Sequence, residues 1–234
     1  MDLNQFRQIS VPLCAASKSF NKVFGIGANK TGTTSLQAIF HILGLNVANQ
    51  QEGELCGVQA YNGNLRPLVD YINKYDAFQD APFSIKTIYA QADALFPGSK
   101  FILTYRDADA WFESLLRFHK KILGVPANQP ITRENSANFP YLYPGYADLL
   151  NRINWLHDVD GEAGLKIDWN LLYNAEHYKN IYRARNHEIV RHFSERSRDF
   201  LVIDITSEKD TRKIVEFLGL PEQLITHVPH LNAS

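Results

Sequence analysis

The sequence predicts an α/β domain, three layers deep, with a mostly parallel central sheet. Three observations lead there. Short β-like runs alternate with longer helical patterns along the chain, the order that strand–helix–strand crossovers produce. The run Lys100–Tyr105 (KFILTY) is mostly apolar, like strands that parallel sheets bury on both faces. No internal repeat, low-complexity tract or linker interrupts the 234 residues, so one domain covering 1–234 is expected.

The elements follow in order. Lys22–Gly27 (KVFGIG) reads as a buried strand. Over Thr34–Leu43, apolar Leu36, Ile39, Phe40 and Leu43 recur at helical spacing, and Gly44 can end the helix. Asn64–Tyr75 is a second helix, with Leu65, Leu68, Val69 and Ile72 on one face and Pro67 in the tolerant first turn. Ala77–Asp80 is a short strand, and a helix from Ile85 to Phe96 stops at the Pro97-Gly98 turn. After KFILTY, Asp107 or Asp109 can cap a helix carrying Trp111, Leu115 and Phe118. Gly124–Pro144 holds four prolines and reads as a long surface loop. Trp169–Phe193 reads as a long helix, Phe200–Asp204 as a strand and Asp210–Leu218 as a helix, before the irregular tail LPEQLITHVPHLNAS. In such a sheet, ligands bind beyond the C-terminal ends of the strands.

Composition removes several function classes. Lys and Arg number 24 against 25 Asp and Glu, a net charge of −1. That gives no global field for nucleic acid or an anionic membrane, although a local basic pocket is compatible with it. Cys14 and Cys56 are too few and too far apart for a disulfide framework or a thiolate zinc site, and nothing demands an oxidising compartment. The N-terminal residues lack the pattern of a secretory signal, and no run approaches the ~18 apolar residues of a membrane span. A soluble intracellular enzyme or binding domain is expected.

The chemistry concentrates in Gly25–Leu36 (GIGANKTGTTSL), between a strand and a helix. Glycines let the backbone N–H groups approach an anion, and the helix N-terminus adds unpaired amides and partial positive charge. Lys30 supplies a full charge, and Thr31, Thr33, Thr34 and Ser35 supply hydroxyls. A loop that merely capped a helix would need neither the lysine nor so many donors. The occupant suggested is a phosphate or sulfate. The nucleoside-triphosphatase pattern GxxxxGK[ST] fits Gly27, Gly32 and Thr34, but Thr33 stands where its lysine belongs. An ATP-dependent P-loop kinase is therefore the weaker alternative, and a non-catalytic nucleotide-binding module a second.

The segment NKTGTTSL resembles the 5′-phosphosulfate loop (KxGTTxL) of sulfotransferases that use 3′-phosphoadenosine 5′-phosphosulfate (PAPS). The resemblance implies a P-loop nucleoside-triphosphatase-like fold, and an Arg at the end of a later strand with a Ser eight residues on, together holding the 3′-phosphate. Arg106 and Ser114 in YRDADAWFES match that spacing; Ala108 replaces the family's usual proline. An Arg at a strand's end offers a bidentate fork to phosphate. The resemblance extends over QDAPFSIKTIYAQADALFPGSKFILTYRD, with its acidic-x-Pro element, and over His177–Phe193, FLVID, EFLGLP and PHLN.

The resemblance further implies that SO₃ passes from PAPS to an acceptor hydroxyl or amine, leaving 3′,5′-adenosine bisphosphate. A sulfuryl group carries less charge than a phosphoryl group, so no metal is expected. Lys30 would serve the bridging and leaving oxygens. Asn29, Lys30, Thr31, Gly32, Thr33, Thr34 and Ser35 would hold the phosphosulfate, and Arg106 and Ser114 the 3′-phosphate. Asp80, after the short strand, is the candidate general base, unless it only caps a turn before Pro82. His119 and the tail's His230 compete with it, His41 lies off the apolar stripe of its helix, and Lys86 could add charge. The expected partner is a small-molecule or carbohydrate acceptor. Golgi relatives carry a membrane anchor that this short chain lacks, which suggests a cytoplasmic, bacterial member.

Overall fold

The computed structural model describes residues 3–137, 139–158 and 166–229. The chain forms two compact units, Met1–Arg106 with Val190–Ser234, and Asp107–Ile189.

The first unit is built on four strands, β1 (Val23–Gly25), β2 (Ala77–Phe78), β3 (Lys100–Thr104) and β6 (Phe200–Ile203). They form an all-parallel sheet in the order β2-β1-β3-β6. Side chains alternate between the faces. On one face Phe78, Phe24, Phe101 and Phe200 occupy the same register across all four strands. Phe24 stacks on Phe78 and Phe101 with ring centroids 5.0 and 5.1 Å apart, and Phe193 bridges Phe101 and Phe200. Each such pair adds about 0.5–1.5 kcal/mol to what burial alone supplies. On the other face, Val23, Ile102 and Ile203 pack with Leu36, Ile39, Phe40 and Leu43, the apolar stripe read from the sequence.

That stripe belongs to α2 (Thr33–Ile42). Gly44, at φ 84, ends it as expected: Leu45 N donates to Phe40 O and Gly44 N to His41 O, a Schellman closure. The second expected helix is α4 (Arg66–Asn73), with Pro67 in its first turn. The helix expected from Ile85 is shorter, α5 (Ile88–Leu95), because Lys86 at φ 44 leaves the helical region. The last helix is α10 (Arg212–Phe217). Two helices lie outside the sequence expectation. One is α1 (Leu3–Ser17), which contains Pro12. The other is α3 (Gln50–Tyr61), capped by Asn49 Oδ1 accepting from Glu52 N. Where α5 meets the residues before β6, Asp93 accepts from Arg196 and from His192 Nε2 at 2.8 Å. Burial alone would raise the Asp93 carboxyl, but these hydrogen bonds outweigh it and hold it below its usual range.

In the second unit, Asp107 caps α6 (Ala108–Leu123), accepting from the N–H groups of Asp109 and Ala110. The expected long loop contains a short helix, α7 (Arg133–Ala137), and is followed by α8 (Tyr146–Asn154) and the antiparallel pair β4 (His157–Asp158) and β5 (Lys166–Ile167). The helix expected over 169–193 is a correction. Trp169–Leu171 forms a single 3-10 turn, and α9 runs over Ala175–His192. Tyr173 at φ 54 breaks the helical path, and Asn174 Oδ1 caps the new start by accepting from His177 N. Here Trp111 stacks on Tyr182 at 4.2 Å and Trp155 on Tyr178 at 4.9 Å. Both cysteines are free and buried. No helix among the described residues is long and apolar enough to cross a membrane.

Candidate active site

The sheet order creates a switch point. The chain leaving β1 returns in β2 on one side of it, whereas the chain leaving β3 returns in β6 on the other. The C-terminal ends of β1 and β3 therefore flank a crevice. Asn29 and Lys30 lie on the loop leaving β1, and Arg106 lies just beyond β3, all half-buried.

The loop after β1 is pressed against its neighbours so closely that glycine is required twice. A Cβ on Gly27 would stand 2.0 Å from Thr104 Oγ1 and 2.5 Å from Thr104 O. One on Gly32, which has φ 91, would stand 2.1 Å from Ile205 Cγ2 in the segment after β6. Thr31 is fully buried, and its hydroxyl donates to Ala28 O at 2.5 Å and pairs with Thr104 Oγ1 at 2.6 Å. Its hydroxyl thus ties the loop to β3. Gly32 is the N-cap of α2, so the first amides of that helix, at Thr33, Thr34 and Ser35, open onto the loop. Thr34 is exposed, whereas Thr33 and Ser35 are buried.

The loop after β2 closes in from the other side. Thr33 Oγ1 donates to Asp80 Oδ2 at 3.1 Å, and Ser84 Oγ donates to Asp80 Oδ1 at 2.8 Å. The structure therefore brings Asp80 to the start of α2, beside the loop that holds Lys30. Lys30, Asp80 and Lys86 have φ of 67, 54 and 44, and are three of the five non-glycine residues with positive φ among those described. Each such conformation costs about 1–3 kcal/mol, and strain of this kind gathers where function fixes the backbone.

Ser114 sits in the second unit, buried on α6 in the same stripe as Trp111 and Leu115. His119, also on α6, shares a 2.7 Å hydrogen bond between its Nδ1 and the Tyr173 hydroxyl, which burial pushes well above its usual value. His41 is exposed. His230 and most of PHLN fall outside the described residues. Among the described residues, no group of three or more His, Cys, Asp and Glu side chains is placed to hold a metal ion. An open concavity of about 420 Å³ lies away from Lys30 and Arg106, lined by Gln37, residues 47–51 and Tyr75.

Sequence reasoning missed Thr104, Gln79 and the Ile205–Thr206 segment. Thr104 left a trace, a hydroxyl residue inside the apolar run FILT. The other two show no local pattern, because their roles come from contacts made across the sheet edge.

The sulfotransferase-domain family model matches residues 22–234. The chain belongs to the sulfotransferase family. Its α/β architecture with an all-parallel sheet fits the P-loop-like sulfotransferase fold expected from the sequence. The matched span takes in both loops of the crevice and runs through the second unit, so this sulfotransferase domain includes Ser114 and α9 as well as Lys30, Asp80 and Arg106. No curated protein matches the chain.

Proposed function

We propose that this sulfotransferase moves the sulfuryl group of PAPS to an acceptor hydroxyl or amine, both units acting as one domain at a cytoplasmic location. The observation that carries the reading is the loop after β1: a backbone that Gly27 and Gly32 let pack tightly against Thr104 and Ile205, a lysine in a left-handed conformation, and a helix N-terminus, gathered at the C-terminal end of a central strand. Such a loop suits a compact anion, since N–H groups and one lysine can surround it. The acceptor oxygen attacks sulfur while the bond from sulfur to the phosphate oxygen breaks. Lys30 meets the charge that develops on the leaving phosphate. The amides of Gly32–Ser35, Thr33 among them, hold the phosphosulfate oxygens, with Asn29 and the Thr34 hydroxyl alongside. Thr31 contributes by fixing the loop to β3. Asp80 takes the acceptor's proton, oriented by the hydroxyls of Thr33 and Ser84. Arg106 and Ser114 hold the 3′-phosphate, the Arg as a bidentate donor.

Calorimetric titration with 3′,5′-adenosine bisphosphate, 5′-AMP and ADP·Mg²⁺ tests this. The bisphosphate should bind at least about tenfold tighter than 5′-AMP, and Arg106→Ala should erase that margin, as loss of a charge-assisted pair implies. A preference for ADP·Mg²⁺, or indifference to the 3′-phosphate, would refute the reading in favour of a kinase.

A further inference from the structure

Immediately before Asp80, a polar chain runs from the sheet edge into α3. Gln79 Nε2 donates to Gln50 Oε1 at 3.0 Å, and Gln50 Nε2 donates to Glu54 Oε1 at 3.0 Å. Glu54 is only 7% exposed. Helix α3 comes this near because two of its glycines face the loop after β2. A Cβ on Gly57 would stand 2.5 Å from Pro82 Cβ, and one on Gly53 3.0 Å from Pro82 Cδ. At the other end of the chain, Gln79 Oε1 is buried and has no hydrogen-bond partner among the described residues.

The direction of the chain is set at its inner end. Gln50 turns its amide nitrogen toward the Glu54 carboxyl, whose Oε1 accepts from it. The Gln50 carbonyl then faces Gln79, which answers with its own nitrogen. What remains at the outer end is the Gln79 carbonyl oxygen, one residue from the candidate base. An amide without such a partner could flip and offer either a donor or an acceptor; this one offers only an acceptor. Most buried polar atoms in native proteins are paired, and this orphan, at a strand's C-terminal end beside the candidate base, is placed to accept from a ligand donor.

We infer that Gln79 determines acceptor specificity: its Oε1 takes a hydrogen bond from a second O–H or N–H next to the group that is sulfated. This rests on the PAPS-dependent reading above. The acceptor class is then a vicinal diol or amino alcohol, not a monohydric alcohol or simple phenol. Glu54 is a positioning residue, acting through Gln50.

The test uses the full chain with PAPS and five probe acceptors: cyclohexanol, phenol, the cis and trans 1,2-cyclohexanediols, and 2-aminocyclohexanol. Products are read by mass spectrometry, for wild type, Gln79→Leu and Glu54→Gln. Each protein is also titrated with 3′,5′-adenosine bisphosphate. A diol or the amino alcohol should show a KM at least about tenfold below that of cyclohexanol, the effect of one good hydrogen bond. Both variants should lose most of that preference through KM, with bisphosphate affinity retained. A merely structural role for Glu54 would instead lower bisphosphate affinity and slow every acceptor alike. Equal use of cyclohexanol, no product from diol or amino alcohol while the bisphosphate binds, or a preference that survives both variants would overturn the inference and leave the PAPS reading standing. Failure of wild type to bind the bisphosphate would overturn that reading and this inference with it.

Discussion

Gly27→Ala is the sharpest probe of the loop after β1. The new methyl carbon would lie 2.0 Å from Thr104 Oγ1, 2.5 Å from Thr104 O and 2.9 Å from Thr104 N. Two of those atoms are strand backbone, so no rotamer change relieves the contact, and the loop must lift away from β3. Lifting it breaks the buried pair between Thr31 and Thr104. Overpacking of this kind costs about 1–3 kcal/mol and an orphaned buried hydroxyl about 1–3 more, for a total of about 4 kcal/mol. For a chain of this size that lowers Tm by roughly 8–16 °C. Gly63→Ala is the matched control: Gly63 has φ 89, but nothing lies within 4 Å of its new Cβ. Only the left-handed backbone is penalised there, by about 1–2 kcal/mol. Thermal unfolding followed by circular dichroism, with bisphosphate titration of each protein, separates the two. Gly27→Ala should lose both stability and nucleotide affinity, Gly63→Ala a little stability alone. A Gly27→Ala protein that melts with wild type and binds the nucleotide equally well would refute the account of the loop.

Three more predictions follow from the same geometry. Lys30→Gly should reduce transfer at least about a hundredfold, yet match or slightly exceed the wild-type Tm, since relief at φ 67 outweighs the glycine's added chain entropy. Asp80→Asn should slow transfer about a hundredfold or more and leave bisphosphate affinity within about threefold, as read by kinetics beside calorimetry. Asp93→Asn should lower Tm at neutral pH. Because the folded carboxyl titrates below its unfolded value of roughly 3.9, its contribution is complete above that pH and disappears as the pH falls through the lower folded value. Melting curves of both proteins from pH 6 downward should therefore converge in acid.

The α2 stripe, KFILTY and the Pro97-Gly98 stop were legible because each depends on residues adjacent in sequence. Helix α3 was not, because its buried face is Gly53, Glu54, Cys56, Gly57 and Ala60, small or charged residues chosen by the loop they touch and without an apolar period. The false early start of α9 has a similar cause. Residues Trp169–Leu172 continue an apolar pattern, but Tyr173 and Asn174 impose a turn that outweighs it. Within the crevice, chemical identity could be read and geometry could not. The hydroxyls of Thr31 and Thr33 look alike in GIGANKTGTTSL, yet one is committed to β3 and the other to Asp80.

The two walls of the crevice hang from unequal supports. The loop after β1 is anchored on the two central strands, each with a neighbour on either side, and is bolted to Thr104. Asp80 and Gln79 instead follow a two-residue strand whose outer side is paired not by a strand but by the short segment Asn46–Ala48. Hydrogen exchange should accordingly be slowest under the loop after β1 and faster around Asp80. On the proposed function, an architecture of this kind would keep the donor end stiff and leave the acceptor end compliant, so that substitutions around Gln79 would retune what is sulfated without loosening the grip on the donor.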